Sequence, residues 1–516
     1  MVPGAPLRSL ALAPTRRVGL AAAAVLALAV TAAVALAPLL RALPHRPPAD
    51  ATAPAGKAPV ALPWAGRATG QVREFMLTVS PVQWELAPGT VVAAYAYNGR
   101  VPGPELRVTE GDTVRVSVIN HLPEPTTIHW HGVELPVEMD GVPQLSQEPI
   151  PPGGTFAYEF VAYPAGTRWY HSHFNEVVQQ GGGLVGALII EPREQAAPAL
   201  TSPPDREYAL VLGEWAAETP PRAPLPSPAL GPPSGMAGGM MGRMTSAGSG
   251  RPIFDTFTVN GKRWPHVPPL VVRQGERVRL RLINAGTSQT QVLGLAGHRL
   301  TLTHSDGNPL AKPLPVDTVF LGVGERADVE FLAEHPGKWL LRGLGPGQAE
   351  RGLAVHVVYE GHEHDPEQDF PPEAQLRPMR YADLAGPPPA ARSDRTYDLV
   401  LSAAMVGMAG DVDVWTINGK SYPKTSPIEV WSGQRVRLRL TNMSMLDHPM
   451  HLHGHTFQVV MANGRAVNGP LKDTLTVRHM ERYEIEFVAN NPGTWLFHCH
   501  NLHHMAGGLV TEVRYR

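Results

Sequence analysis

The chain has 516 residues, of which 43% are hydrophobic, and its 44 Lys and Arg nearly balance its 46 Asp and Glu. This length exceeds what one hydrophobic core supports, so two to four domains are expected. The formal net charge of -2 lacks the basic excess that nucleic-acid binding usually requires, so we expect no nucleic-acid partner. The 54 Pro and 51 Gly, spread through alternating valine-rich segments, predict an all-β protein of short strands joined by turns.

Residues 1–66 are predicted to be an export signal or membrane anchor followed by a spacer. Thr15-Arg16-Arg17-Val18-Gly19-Leu20 resembles a twin-arginine export signal, and residues 18–37 are uncharged and rich in alanine. That stretch is just long enough to span a bilayer, so cleavage and retention as an anchor both remain open. Residues 41–66 are rich in Pro and Ala, which is typical of a spacer. We therefore expect a periplasmic, extracellular or outer-face membrane-anchored protein.

The rest of the chain repeats one pattern three times. Each copy has an Asn-Gly pair, then a Gly that opens an alternating run, and finally a closing segment that begins with Gly and contains Trp. The pairs are Asn98-Gly99, Asn260-Gly261 and Asn418-Gly419, the runs open at Gly111, Gly275 and Gly433, and the closing segments begin at Gly166, Gly337 and Gly493. Each copy is about one β-sandwich long, so three Greek-key sandwiches in series are predicted.

The gaps between the copies set the predicted boundaries. The first domain covers residues 67–200, the second 201–362 and the third 396–516, with a linker rich in Pro and charge at 363–395. Residues 216–251, dense in Pro, Gly and Met, form another linker. In the middle closing segment, Arg342-Gly343-Leu344 stands where the other copies have His. The middle domain is therefore predicted to be a spacer or substrate wall without metal ligands.

Four histidine clusters lie in the two outer copies. They are His129-Trp130-His131, His171-Ser172-His173, His448-Pro449-Met450-His451-Leu452-His453, and His498-Cys499-His500 with His504. Successive side chains on a strand point to opposite faces, so a His-x-His pair presents both imidazoles on one face, suited to neighbouring metal ions. Cys499 is the only cysteine, so it forms no intramolecular disulfide and must be free or bound to metal. The strand carrying it can touch two metal centres.

These clusters resemble the four signatures of the multicopper oxidase family, over about residues 70–516. Met139-Asp140-Gly141, Gln147-Glu148-Pro149-Ile150 and Gly183-Leu184-Val185-Gly186-Ala187-Leu188 also resemble its first domain. The resemblance, to laccase-like and bacterial cuprous oxidase-like members, implies three consecutive cupredoxin-like Greek-key β-sandwich domains. It also implies about four copper ions per chain, one of type 1, one of type 2 and a type 3 pair.

The resemblance also assigns the ligands, residue by residue. The type 1 copper takes His448, Cys499 and His504, with the non-ligating Leu509 in the axial position; the type 2 copper takes His129 and His451; and the type 3 pair takes His131, His171, His173, His453, His498 and His500. A thiolate with two imidazoles also suits a one-electron copper site on chemical grounds. Because leucine cannot ligate, we expect a fairly high reduction potential, suited to phenols.

Proton delivery is assigned to one acid. Asp140 follows the first cluster where the family often keeps an acid near the trinuclear site, and the reduction of oxygen needs protons. Some relatives place a second acid directly after the last type 1 histidine, where this chain has Met505. The later proton route therefore stays open.

The methionines form two groups. Met236, Met240, Met241 and Met244 lie in a Gly-rich loop and are predicted to dock Cu(I), because soft thioethers favour that ion; a plain flexible linker is the alternative. Met443, Met445, Met450 and Met505 crowd the type 1 signature and are predicted to be packing residues.

The predicted function is that of a copper-dependent oxidase. It couples one-electron oxidation of phenolic or aromatic reductants, or of Cu(I), to the reduction of O2 to water. Its partners are O2 and a small reductant, and a monomer is expected. The alternatives are a cuprous oxidase dedicated to copper tolerance and a non-enzymatic copper-binding scaffold, which the filled ligand positions disfavour. A copper nitrite reductase would leave the type 3 histidines unexplained.

Overall fold

Strands make up nearly all the regular structure in this computed structural model. The structure describes residues 61–193, 203–217, 254–371, 376–377, 379–389, 392–404 and 414–516. The predicted export signal and the predicted docking methionines Met236, Met240, Met241 and Met244 lie outside these residues. Within the described ranges, no helix has both the length and the apolar character needed to cross a membrane.

The first domain has eight strands in two sheets. The elements are β1 (Val72–Ala87), β2 (Thr90–Tyr97), β3 (Leu106–Thr109), β4 (Thr113–Asn120), β5 (His129–His131), a 3-10 turn (Val137–Met139), β6 (Thr155–Val161), β7 (Gly166–His171), α1 (Glu176–Gln179) and β8 (Val185–Glu191). The sheet orders are β2-β1-β4-β6 and β3-β8-β7-β5.

The second domain has two larger sheets. Its strands are β9 (Arg206–Trp215), β10 (Thr256–Val259), β11 (Leu270–Val272), β12 (Arg277–Asn284), β13 (Gln291–Leu295), β14 (Leu300–Ser305), β15 (Asn308–Val316), β16 (Val319–Leu321), β17 (Arg326–Leu332), β18 (Lys338–Gly343), β19 (Ala354–Tyr359) and β20 (Glu367–Gln368). The sheet orders are β10-β9-β12-β17-β14-β15 and β11-β19-β18-β13-β16. β20 lies in the segment predicted to be a linker, and it pairs with β18.

The third domain repeats this plan after a 3-10 turn (Tyr381–Asp383). Its elements are β21 (Arg395–Ala404), β22 (Val414–Ile417), β23 (Ile428–Val430), β24 (Arg435–Asn442), β25 (His448–Leu452), β26 (Phe457–Ala462), β27 (Arg465–Ala466), β28 (Leu471–Lys472), β29 (Thr474–Val477), β30 (Arg482–Val488), β31 (Thr494–Cys499), α2 (Leu502–Ala506) and β32 (Val510–Tyr515). The sheet orders are β22-β21-β24-β30-β26-β27, with β28 beside β26, and β23-β32-β31-β25-β29.

One pairing scheme recurs in all three domains. In the first sheet of each, β1 runs parallel to β4, β9 to β12, and β21 to β24. In the second sheet of each, β3 runs parallel to β8, β11 to β19, and β23 to β32. Side chains alternate along the strands: Val114, Val116 and Val118 of β4 are fully buried, whereas Ser117 is exposed. The prediction of three cupredoxin-like β-sandwich domains is confirmed.

The repeated Asn-Gly pairs are tight turns that also bind a neighbouring strand. Asn418 and Gly419 have φ angles of 53° and 76°, which only Asn, Asp and Gly adopt readily. The Asn418 side chain accepts a hydrogen bond from the N–H of Val400 (2.8 Å) and donates one to the carbonyl of Asp398 (2.7 Å). The equivalent asparagines of the other two domains make the same pair of bonds. Each pair therefore fixes the first strand of its domain.

We predict that Asn418→Ala lowers the free energy of unfolding by about 1–2 kcal/mol, because Ala resists positive φ and cannot make the two side-chain bonds. Asn418→Gly is the matched variant, since it keeps the turn easy to form and loses only the hydrogen bonds. Its cost should be clearly smaller. Urea unfolding followed by tryptophan fluorescence measures both, and equal costs would contradict a role for the backbone conformation.

Candidate metal centres

The four histidine clusters lie at the ends of paired strands. β5 pairs with β7, which places His129 opposite His171, and β25 pairs with β31, which places His451 opposite His498. All ten clustered histidines and Cys499 are at most 4% exposed. They form two adjoining centres, one inside the third domain and one between the first and third domains.

The smaller centre contains Cys499, His448 and His504. The Cys499 Sγ lies 3.6 Å from the Nδ1 of each histidine, and the two Nδ1 atoms are 3.1 Å apart. The indole of Trp415 covers the ring of His504 at 3.9 Å between centroids. Leu509 is fully buried, and its carbonyl accepts a hydrogen bond from the N–H of Cys499.

These three donors suit a metal ion. The Ser444 hydroxyl lies 2.6 Å from the Nε2 of His448 and so leaves the Nδ1 of that ring to face the sulfur. Burial lowers the pKa of His448 to about 3, so its imidazole is neutral and can ligate. Imidazole and thiolate bonds to a first-row metal run about 2.0–2.3 Å, and an ion at that distance fits among donors spaced this way.

The larger centre is built from eight histidines. Six of them form two groups of three, here called triples, which have no residue in common. The remaining two form a pair beside the triples. The triples are His131, His171, His500 and His173, His453, His498, and the pair is His129, His451. In each triple the ligand nitrogens lie within 4.8 Å of one another. The structure thus gathers all eight histidines that the sequence singled out and divides the six assigned to the type 3 pair into two sets of three.

In most of these rings, the nitrogen that faces away from the centre donates a hydrogen bond to an oxygen atom of the protein. The Nδ1 atoms of five rings lie 2.8–3.1 Å from a carbonyl or carboxylate oxygen, and these rings are His129, His171, His451, His453 and His498. Each such Nδ1 therefore carries the proton, and the Nε2 lone pair points into the centre. The Nε2 atoms of His453 and His498 are only 2.9 Å apart. Two lone pairs at this distance repel unless a cation lies against them.

His131 is turned the other way. Its Nε2 lies 3.0 Å from both the Asp473 carboxylate and the Thr474 hydroxyl, and its Nδ1 has no hydrogen-bond partner among the described residues. His131 therefore offers Nδ1 to the centre. In the same range, the Nε2 of His171 and both ring nitrogens of His500 also have no hydrogen-bond partner. Buried nitrogens of this kind indicate ligands, because an unsatisfied buried polar group is costly.

Acidic side chains hold several of these rings. Asp140 is 1% exposed, and its two carboxylate oxygens lie 3.2 Å from the Nδ1 of His129 and 2.9 Å from the Nδ1 of His453. Glu176, on α1, lies 2.9 Å from the Nδ1 of His173. Asp140 thus touches one ring of the pair and one ring of a triple.

Sequence reasoning missed Asp473, which joins all three domains. Its carboxylate contacts His131 of the first domain and accepts two hydrogen bonds of 2.6 Å from Arg326 of the second. Burial alone would raise the pKa of Asp473, but Arg326 and Arg168 outweigh it and hold the pKa below its ordinary value. Lys472 and Asp473 lie in a run of buried residues, where charges are rare unless paired, but this burial is visible only in the structure.

A buried ionic network extends from Asp473 into the second domain. The Asp306 carboxylate accepts hydrogen bonds from the backbone N–H groups of Arg326, Asp473 and Thr474. Lys472 Nζ lies 3.2 Å from both Asp306 and Glu325. The middle domain contributes no member of the described metal groups, yet these bonds fix the strand that supports His131 and His451.

The methionine prediction was partly wrong. Met450 and Met505 are buried, as predicted, but Met443 and Met445 are 55% and 78% exposed. The reason is that Met450 lies within β25, whereas Met443 and Met445 lie in the loop that precedes this strand. Met480, also exposed, lies on a neighbouring loop and donates its N–H to the carbonyl of Asn442. Thioethers therefore do face solvent near His448.

Comparison with known proteins gives matches over most of the chain. Family models described as multicopper oxidase match residues 78–195, 209–362 and 400–516. Multicopper oxidase MmcO of Mycobacterium tuberculosis is 32% identical and aligns over 87% of this chain and 88% of its own length. Copper resistance protein A of Escherichia coli is 26% identical over 86% of this chain and 93% of its own length.

Solved structures agree with these matches. A multi-copper oxidase from Pseudomonas thermotolerans has 31% identity and a TM-score of 0.65, and the match covers 86% of this chain and 99% of that one. A laccase from Botrytis aclada has 27% identity and a TM-score of 0.68, and the match covers 86% and 87% of the two chains.

We predict that Arg326→Met lowers the free energy of unfolding by about 3–5 kcal/mol, because it leaves the Asp473 carboxylate buried without its main partner. Arg115→Met is the matched control. It breaks exposed pairs with Glu74 and Glu159 and should leave the unfolding midpoint almost unchanged. Urea unfolding followed by circular dichroism measures both. Similar midpoints for the two variants would show that the buried pair does not stabilise the fold.

Proposed function

The chain belongs to the multicopper oxidase family and is an oxidoreductase with O2 as acceptor, and we propose that it oxidises phenolic or other aromatic reductants, or Cu(I), at a buried type 1 copper. The observation that carries this proposal is the arrangement of Cys499 between two imidazole nitrogens, one peptide unit from each of two histidines of the larger centre.

The geometry supports the ligand assignment that the family resemblance implies. We propose that His448, Cys499 and His504 hold the type 1 copper and that His129 and His451 hold the type 2 copper. The two triples then hold the type 3 pair, which gives about four copper ions per chain. Copper bound at these residues would supply one-electron transfer at the type 1 site and, at the larger centre, the reduction of O2 by four electrons and four protons to two waters.

The chain supplies a covalent path between the two centres. Cys499 lies at the end of β31, and its neighbours His498 and His500 point to the opposite face into different triples. Leu509, the residue that the resemblance assigns beside the type 1 site, is buried and its side chain offers no donor, so a copper ion held there would favour Cu(I) and have a raised reduction potential. A high potential favours reductants such as phenols.

Asp140 is the proposed source of protons for the reduction of oxygen. Its Oδ2 accepts a hydrogen bond from the Nδ1 of His453 (2.9 Å), which leaves Oδ1 to carry a transferable proton beside the larger centre. Met505 is buried and cannot serve as a second acid.

Cu(I) is the second candidate substrate. Met443, Met445 and Met480 expose thioethers on two adjoining loops beside His448, and soft sulfur donors favour Cu(I). The similarity to copper resistance protein A also supports Cu(I) as a substrate. Met236, Met240, Met241 and Met244 are a second group of thioethers that we propose for Cu(I) docking, because the sequence concentrates them within nine residues.

The place of action is proposed from the N-terminal sequence. Residues 15–20 resemble a twin-arginine signal, which suits proteins exported already folded around a metal. We propose a monomer that acts in the periplasm, outside the cell or anchored on the outer face of the membrane.

Cys499→Ser tests the core of the proposal. Without the thiolate, we expect loss of the intense blue absorption, loss of O2 uptake with a phenol, and a copper content that falls from about four to about three per chain. Leu509→Met is the companion variant, because an added thioether should keep the blue band and lower the type 1 reduction potential. O2 uptake that survives in Cys499→Ser would refute the proposed electron path.

The hypothesis that Cu(I) is a substrate is tested with a triple variant in which Met443, Met445 and Met480 are each replaced by Ser. We expect the KM for Cu(I) to rise about tenfold, which corresponds to about 1.4 kcal/mol of lost binding, with phenol turnover unchanged. Met76→Ser, at a methionine 60% exposed on β1, is the control and should change neither. Deleting residues 236–244 tests the other loop in the same assay. Unchanged cuprous kinetics in both variants would leave phenols as the favoured substrates.

A further inference from the structure

A loop of the middle domain reaches both histidine-bearing segments of the proposed type 1 site. Residues 286–290 lie in the connection between β12 and β13. The carbonyl of Thr287 accepts a hydrogen bond from the N–H of Leu502 (2.9 Å), and the hydroxyl of Thr290 donates one to the carboxylate of Asp447 (3.3 Å). Asp447 directly precedes His448, and Leu502 lies two residues before His504. One loop therefore contacts the chain on both sides of the site.

Asn501 makes a third contact with this loop and also bonds the backbone at His504. Its side-chain amide donates to the carbonyl of Ser288 (3.1 Å). Its side-chain oxygen accepts the N–H groups of His503 (3.1 Å) and His504 (3.4 Å) and so caps α2. The turn that carries His504 is thus held at its beginning by a residue whose other end is bonded to the middle domain.

Glu214 fixes the shape of this loop from within. It lies near the end of β9, is 4% exposed, and accepts four hydrogen bonds from three consecutive loop residues. One carboxylate oxygen accepts from the Thr287 hydroxyl (2.9 Å) and from both the N–H (3.1 Å) and the hydroxyl (2.8 Å) of Ser288, and the other accepts from the N–H of Gln289 (2.8 Å). Bonds to an ionised acceptor are about twice as strong as neutral ones.

The close approach of the Glu214 carboxylate to the loop also explains why residue 286 is glycine. A Cβ at position 286 would lie 2.5 Å from the Glu214 Oε1, closer than such atoms come. Gly286 therefore allows the carboxylate to sit inside the curve of the loop. The burial of Glu214 raises its pKa, and the four donors act against that change by stabilising the charged form.

We propose that Glu214 is a positioning residue for the type 1 copper site. By fixing residues 286–290, it holds the segments of His448 and His504 in place across a domain boundary, although it touches neither histidine. The inference rests on the type 1 ligands of the proposed function. Residues that orient metal ligands commonly change metal affinity or activity by 10–100-fold when mutated, so the effect should be measurable at the metal.

Glu214→Gln is the direct test, because it keeps the size of the side chain but turns an NH2 group toward a loop that offers only donors there. We expect the copper-loaded variant to show an altered blue absorption band and an altered type 1 electron spin resonance signal, with the type 2 signal unchanged. A Cu(I) chelator should remove the blue copper at about tenfold lower concentration than in the wild type. The reduction potential, followed by redox titration, should shift as well.

Glu330→Gln is the matched control. Glu330 is also a buried carboxylate of the middle domain, at 6% exposure, but it pairs with Arg279 on the sheet. This variant tests general destabilisation and should leave every type 1 readout unchanged. If it changed the blue signal as Glu214→Gln does, the effect would reflect loss of stability, and the proposal would be wrong.

Two further outcomes are informative. If Glu214→Gln does not fold, Ser288→Ala removes one donor and keeps the carboxylate, and it should shift the same signals less and in the same direction; no shift would refute the proposal. A wild-type blue signal with unchanged chelator resistance in Glu214→Gln would overturn this inference alone. Absence of a blue signal from the copper-loaded wild type would instead overturn the proposed function.

Discussion

The structure depends on burying many neutral imidazoles whose lone pairs face one another. Desolvation holds the pKa of His451, His453 and His498 well below the ordinary value, so the positive charge that would relieve their repulsion cannot come from protons. A bound metal ion would supply this charge. Carbonyl oxygens and Asp140 hold the Nδ1 atoms of these rings, so the protein itself directs the Nε2 atoms into the centre. In both proposed centres, hydrogen bonds to the protein orient buried imidazoles toward the metal site.

Orientation of this kind requires support from outside the ligand strands, and the middle domain provides it. Arg326 pairs with Asp473, which bonds the reversed ring of His131 in the larger centre. Glu214 holds the loop that bonds Asp447 and Asn501 beside the smaller centre. A domain without ligands in its described residues can therefore decide how well the ligands of its neighbours are placed. The prediction that it is a spacer or substrate wall left out this role.

Much of the architecture could be predicted from the sequence, because it depends on local rules. The period-two burial of β4 and the positive φ of Asn418 follow from the chemistry of single residues, and the His-x-His spacing places two imidazoles on one face whatever the surroundings. The supporting contacts could not be predicted in this way. Asp473 and His131 are 342 positions apart, and nothing local in either segment indicates the other. Whether a loop methionine such as Met445 is exposed likewise depends on packing that periodicity does not describe.

The division of ligands between domains has a consequence for folding. His131 and His171 come from the first domain and His500 from the third, so this triple exists only when the two domains are in contact. An ion bound there stabilises that contact by the difference between its binding free energies to the complete and the separated donor sets, since separated domains offer incomplete sets of donors. The ionic contacts through Arg326 act in the same direction without metal. Domain association and metal binding therefore reinforce each other, and the centre between the domains is at once the proposed reaction site and part of what joins them.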